Sequence, residues 1–322
     1  MKKIYIRVDG GSSIGIGHVV RMLVLGAKLK KFYKIIFLCL KSNFKNQFGI
    51  GIKLIKRAKF KVITLKNNNS IYKMNKRDDC LITALPYLQK QYFYLTSKNF
   101  KKTIIFDNTN NSKIYYGDLL INPEIYAKKL KYNLEKNIKT KLGLKYFLLE
   151  KKYKKFKLKK KRKNKILITF GGSDPKNFTK KILKKINKMK NLKFRVVIGP
   201  GFKTDFSQFK KKHNNFNFIK NADMGKEIEK ADLVLSACGT TVYESMYLKS
   251  NIIGFKIAHD QRDAYNYLGT KKFIVPSNPK KIKQDITKSM LLIKRNKKIN
   301  HISNFPDSFG SERILEEIKK IH

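Results

Sequence analysis

Acidic residues are scarce in this chain: 22 Asp and Glu stand against 74 Lys and Arg, a formal net charge of +52 over 322 residues. Cysteine is scarcer still. Cys39, Cys80 and Cys238 lie far apart, with neither zinc spacing nor a disulfide framework, which fits a reducing cytoplasm. No apolar run approaches the roughly 18 residues that a membrane-spanning helix needs. No H-E-x-x-H or other compact ligand spacing is present, so neither a metal nor another cofactor is expected. Met1-Lys2-Lys3-Ile4 enters an apolar segment directly, and the expectation is that no signal peptide precedes it.

The basic excess by itself suggests nucleic acid. The lysines, however, are spread over almost every segment instead of forming one stripe, and Asn and Ile are abundant, as in proteins from genomes rich in adenine and thymine. No aromatic-basic recognition motif accompanies them. A stable nucleic-acid partner is therefore not expected, although a non-catalytic nucleic-acid or anion-binding protein stays as an alternative. The positive field should draw phosphorylated metabolites and acidic membrane surfaces, so peripheral membrane contact is compatible with it.

Apolar residues make up 42% of the chain, enough to bury a core, and the length suits two domains. Ile4–Ile6, Ile35–Leu40, Lys61–Leu65, Cys80–Thr83 and Thr103–Phe106 read as strands, with Leu119–Ile121 closing the series; Val19–Lys31 reads as one of the helices between them. The stretch Asn67–Lys76 is too polar and irregular to assign. Lys151–Lys165 holds ten lysines and one arginine, and is read as a basic linker or solvent-facing strap. Ile166–Phe170, Phe194–Ile198, Phe216–Ile219, Leu233–Leu235, Asn251–Phe255 and Lys272–Val275 then repeat the strand pattern, with a helix over Phe178–Lys190. Gly310–Ile321 reads as a closing helix, with the option of packing back on the first domain. The expectation is an α/β protein with two Rossmann-like domains, 1–150 and 166–322, facing across a cleft at the carboxyl ends of their sheets.

Three segments carry candidate chemistry. Arg7-Val8-Asp9-Gly10-Gly11-Ser12-Ser13-Ile14-Gly15-Ile16-Gly17-His18 is a strand end, a glycine-rich turn and a helix start. It is not a dinucleotide fingerprint, because the third glycine of G-x-G-x-x-G falls on Val20. Gly15 and Gly17 permit close backbone approach to a substrate. His18 is a candidate base near neutral pH, with Asp9 as a candidate partner for it; Arg7 faces the same strand end, and Arg21 lies on the helix face of His18. The plain alternative for His18 is a helix-capping polar residue. Gly171-Gly172-Ser173 follows a strand and frees N–H groups for a phosphate, while Asp174-Pro175 suits the next helix start; the alternative is a simple tight turn. Ser236-Ala237-Cys238-Gly239-Thr240-Thr241-Val242-Tyr243-Glu244 turns from strand to helix. There Cys238, Gly239, Thr240 and Thr241 can hold a pyrophosphate, and Glu244 can reach a ribose diol. Asp260 and Gln261, after the next strand, can touch the sugar.

These segments resemble the UDP-2,4-diacetamido-2,4,6-trideoxy-β-L-altropyranose hydrolase family of pseudaminic acid synthesis, and more broadly the UDP-sugar hydrolases and transferases of the GT-B type. Arg7–Arg21, Thr169–Asp174 and Ala231–Glu244 carry the resemblance, with weaker likeness at Leu119–Pro123 and Gly310–Ile321. The resemblance implies a cytoplasmic, metal-independent enzyme of surface glycan synthesis, flagellin glycosylation included. In it water attacks the anomeric carbon and UDP leaves, with His18 as base, Gly239–Thr241 on the pyrophosphate and Glu244 on the ribose. A glycosyltransferase of the same architecture is the alternative. The chain departs from the family where Asp-His-Tyr or Asp-Ser-Tyr is usual: here the segment reads Thr83-Ala84-Leu85-Pro86-Tyr87, and Tyr87 alone corresponds. It departs again at Asp260, where asparagine is usual.

Overall fold

The computed structural model describes residues 2–44, 47–74, 76–86, 88–156, 164–174, 176–301 and 306–321. The chain divides into two compact units, Met1–Glu150 with Asp307–His322, and Lys151–Pro306.

Unit 1 alternates strands and helices: β1 (Lys3–Arg7), α1 (Gly17–Leu29), β2 (Lys34–Leu40), α2 (Gly49–Arg57), β3 (Lys61–Leu65), α3 (Asn69–Tyr72), β4 (Lys76–Thr83), α4 (Lys90–Asn99), β5 (Phe100–Phe106), β6 (Leu119–Asn122) and β7 (Lys139–Leu142). The seven strands form one parallel sheet in the order β3-β2-β1-β4-β5-β6-β7. Its central strands carry near-continuous apolar runs because helices cover both faces. In β2, Ile35, Phe37 and Cys39 enter one core and Ile36 and Leu38 the other. In β1, Ile4 and Ile6 divide from Tyr5 in the same way. The sheet does not end at β6. Lys-Thr-Lys-Leu adds β7 as an edge strand, held by backbone pairing to β6 and carrying no apolar run to announce it. The polar stretch after Leu65 contains α3, whose one buried side chain is Ile71.

Unit 2 contains β8 (Lys165–Thr169), α5 (Phe178–Ile186), β9 (Lys193–Ile198), α6 (Ser207–Lys212), β10 (Phe216–Lys220), α7 (Met224–Lys230), β11 (Leu233–Ala237), α8 (Thr240–Tyr247), β12 (Asn251–Phe255), α9 (Arg262–Thr270), β13 (Val275–Pro276) and α10 (Ile282–Lys294). Its parallel sheet runs β10-β9-β8-β11-β12-β13. Two expectations change here. The strand read at Lys272–Val275 shrinks to β13, because Lys272 N–H and Phe273 N–H bond back to Gly269 and Leu268 carbonyls and close the end of α9. The lysine-rich run is packed at its start. Lys151–Lys155 form a 3₁₀ turn that buries Tyr153, edge-on to the rings of Phe156 and Tyr247. Residues 157–163 of that run lie outside the described residues, and Lys165 opens β8.

The final helix, α11 (Gly310–Ile321), belongs to unit 1. Ile314, Leu315 and Ile318 enter the same core as Ile4 and Ile6. Lys28–Glu312 at 3.2 Å and Lys141–Glu317 at 3.0 Å flank that seam. Gly310 sits so close to the Phe147 carbonyl that any side chain would collide with it.

Candidate functional site

In an open α/β sheet the crevice for ligand forms where the strand order reverses, beyond the carboxyl ends. In unit 1 the reversal lies between β1 and β4, and in unit 2 between β8 and β11. The glycine-rich segments read from the sequence follow β1, β8 and β11, so each occupies a loop at its own unit's reversal point.

In unit 1 the loop after β1 folds on itself. Gly11 and Gly15 exchange two backbone hydrogen bonds of 2.9 Å, and Gly15 adopts φ +77°. The first turn of α2 packs onto this loop. Gly51 N–H donates to the Gly10 carbonyl at 3.0 Å, and a Cβ on Gly51 or Gly11 would strike Gly10 or Gln47 backbone. Several of these glycines are therefore required for the docking of α2. The loop delivers Gly17 and His18 to the first turn of α1, which begins after Ile16 with no side-chain cap. His18 does not cap the helix. Its half-buried ring accepts, at Nδ1, a hydrogen bond from Arg21 Nη2 at 3.4 Å. Burial first, and the Arg21 charge second, push the imidazole down to about 3, so the ring is neutral near neutral pH.

Arg7 and Asp9 turn to each other instead of to His18. Arg7 Nη2 donates to Asp9 Oδ2 at 2.7 Å and to Asn68 Oδ1 at 3.0 Å, and Leu40 N–H donates to Asp9 Oδ1 at 2.8 Å. The pair ties β1 to the end of β2 and to the start of α3. Tyr87 falls outside the described residues. Sequence reasoning missed Asn108 after β5, Asn122 at the end of β6 and Glu124 just beyond it. Glu124 Oε1 lies 3.5 Å from Arg21 Nη1 and accepts from Asn108 Nδ2 at 3.0 Å. Asn122 Oδ1 accepts the Glu124 N–H at 2.8 Å, and its amide donates to the Tyr132 hydroxyl at 2.6 Å. The signal available in the sequence was polar Asn122-Pro123-Glu124 directly after an apolar strand.

In unit 2 the loop after β8 holds Gly171 at φ +85° in open space, while the Gly172 carbonyl accepts from Gly201 N–H at 2.8 Å. Ser173 is buried. The Asp174 carboxylate accepts from both Phe178 N–H and Thr179 N–H at 2.7 Å, so the start of α5 already holds an anion of its own. Pro175 lies outside the described residues. The start of α8 differs. Gly239, which has no side chain to cap with, precedes it; Thr240 and Thr241 are half-buried, and no carboxylate among the described residues is bonded to their N–H groups as Asp174 is in α5. Among the described residues, a Cβ placed on Gly239 would meet only Gln261 Nε2, at 3.8 Å. Gln261 is oriented by the Ile257 N–H, which donates to its Oε1 at 3.1 Å and leaves the NH₂ side toward Gly239. Glu244 is buried one turn into α8; Cys238 is buried behind the turn, its N–H bonded to the Phe255 carbonyl at 3.0 Å. Asp260 is exposed. Gly239, the start of α8 and Gln261 thus form one locus, with the Gly171–Ser173 loop on the adjacent strand. No group of three or more His, Cys, Asp and Glu side chains gathers in ligating fashion among the described residues. No described helix is long and apolar enough to cross a membrane.

No protein-family profile matches the chain. It is 33% identical over 285 residues to the uncharacterized protein MJ1062 of Methanocaldococcus jannaschii, covering 82% of this chain; the chain spans 57% of the length of that relative. It is 24% identical over 292 residues to the UDP-2,4-diacetamido-2,4,6-trideoxy-beta-L-altropyranose hydrolase of Campylobacter jejuni, covering 85% of this chain and 98% of that protein. Among solved structures, S. aureus MnaA with UDP superposes with a TM-score of 0.61 at 14% identity, covering 99% of this chain and 96% of that one. The pneumococcal O-GlcNAc transferase GtfA with UDP and GlcNAc gives 0.60 at 10% identity, covering 99% of each. The chain has the GT-B-like fold of two Rossmann-type units, each a parallel sheet flanked by helices.

Proposed function

We propose that the chain is an enzyme that binds a UDP-linked sugar and cleaves the bond between the anomeric carbon and the diphosphate. The observation that carries this reading is the uncapped start of α8 behind Gly239, with the Gln261 amide beside it. Free first-turn N–H groups and the positive end of the helix dipole suit a pyrophosphate. The same groups stabilise the charge that grows on UDP as it departs. Thr240 and Thr241 add hydroxyl donors, Gly171, Gly172 and Ser173 offer backbone on the neighbouring strand, and Glu244 takes the ribose. Cys238 supports the turn from behind. In unit 1, His18, Arg21 and the Gly15–Gly17 backbone form a second polar group at that unit's own reversal point.

Two acceptors fit this reading. Transfer to an acceptor hydroxyl is favoured by the fold, which the chain has in common with a sugar transferase along nearly its whole length. Water as acceptor is favoured by the sequence likeness to the C. jejuni hydrolase along nearly all of that protein. Incubation with a panel of UDP-amino sugars, following free UDP with and without lipid and saccharide acceptors, separates them. Acceptor-dependent release identifies a transferase, and acceptor-independent release identifies a hydrolase. Failure to bind UDP by calorimetry, together with no release from any donor, overturns the proposal.

A further inference from the structure

Arg21 Nη2 faces His18 Nδ1 at 3.4 Å. A guanidinium carries five N–H donors and has nothing to accept with. Nδ1 must therefore present its lone pair, and the hydrogen of the neutral ring resides on Nε2. The nitrogen left for a ligand is then a donor. A base drawing a proton from water through Nε2 needs the opposite tautomer, with Nδ1–H bonded to an acceptor.

Arg21 is itself anchored. Its Nη1 lies 3.5 Å from Glu124 Oε1, and both side chains are only 10% exposed. Glu124 is fixed twice, through its carboxylate by Asn108 Nδ2 at 3.0 Å and through its N–H by Asn122 Oδ1 at 2.8 Å. Asn108 is held in turn by the Tyr126 hydroxyl, which donates to its carbonyl at 2.8 Å. The chain of contacts runs from the loops after β5 and β6 to the first turn of α1. Asp9, the other acid near the start of this loop, spends its carboxylate on Arg7 and Leu40.

We propose that Glu124 is a positioning residue: by anchoring Arg21 it fixes His18 as the Nε2–H tautomer, so that the ring gives a hydrogen bond to an anionic or departing oxygen of the substrate. The neutral ring keeps its hydrogen throughout, and no proton is transferred. A neutral imidazole acting as donor polarises an oxygen without adding a second positive charge beside Arg21. The depressed titration of the ring agrees with this state. The proposal rests on the UDP-sugar reading only for the identity of that oxygen.

The test uses the full chain without ligand. Long-range proton–nitrogen correlation NMR of labelled histidine reports the tautomer directly, with the His18 signals identified by their loss in H18Q. The expected wild-type spectrum has a pyridine-type Nδ1 and a pyrrole-type Nε2 at neutral pH. R21M and E124A should each admit the second tautomer, and R21M should move the titration upward toward 6.5, the ordinary value. A pyrrole-type Nδ1 in the wild type overturns the proposal without recourse to any variant. A fixed tautomer in a folded E124A removes the role of Glu124. Because no UDP is present, absence of UDP-sugar binding would sink the functional reading and leave this result standing, and the converse also holds.

Discussion

Asp9 can be tested as an anchor against its reading as a partner of the histidine. Arg7 is fully buried and Asp9 nearly so, with 2.7 Å between Nη2 and Oδ2. Around that guanidinium the remaining acceptors are neutral: the Leu38 carbonyl at 3.3 Å and Asn68 Oδ1 at 3.0 Å. Arg7 Nε already has no partner among the described residues. Asp9→Ala therefore leaves a buried cation without its counter-charge and the Leu40 N–H without its acceptor. Breaking one side of such a pair costs about 3–5 kcal/mol. For a unit of this size that is a fall in Tm of about 6–20 °C. Asp9→Asn should lose less, since its amide oxygen still accepts from Leu40. Calorimetric melting and urea unfolding of the two variants beside the parent measure both. An Asp9→Ala protein within about 1 kcal/mol of the parent refutes the argument. So does an Asp9→Asn protein of unchanged stability whose turnover collapses, because that pattern belongs to an acid that orients the imidazole.

Gly239→Ala should separate binding from folding. The new methyl meets no described atom nearer than 3.8 Å, so stability should stay within about 1 kcal/mol, while UDP affinity should fall at least about tenfold because the methyl stands where the proposal puts the diphosphate. Unchanged UDP titration would remove α8 from the proposed site. Acid should destabilise the protein through His18. Its folded value is about 3 against an ordinary 6.5, so between these the unfolded chain binds the extra proton and stability declines as pH falls through that window. His18→Gln should flatten that part of the stability profile relative to the parent, and coincident profiles would contradict a ring held neutral by its surroundings.

The apolar runs of β1, β2, β6 and β12 were legible because both faces of a parallel sheet are buried, and Ile, Val, Leu and Phe have nowhere else to go. β7 was not legible, since an edge strand of Lys-Thr-Lys-Leu is held by main-chain bonds that are indifferent to side chains. The Gly239–Thr241 turn could be read from spacing, because a glycine between an apolar run and a threonine pair is a local signature of strand, turn and helix. That Gln261 lies beside it required the sheet, which brings the ends of β11 and β12 together. Asp174 was legible as a cap of the next helix, and its carboxylate does accept from the first N–H groups of α5.

Local order along the chain thus settled the strand–helix alternation, the positions of the glycine turns and the pairing of His18 with Arg21 on one helix face, all consequences of short-range periodicity and backbone freedom. Tertiary structure decided which charges meet. Asp9 goes to Arg7, and Arg21 lies between His18 and Glu124. The contact of Arg21 with Glu124 joins residues more than a hundred positions apart. Sequence fixes the residue types, but the sheet order determines which loop ends lie side by side, and a hydrogen bond depends on that distance.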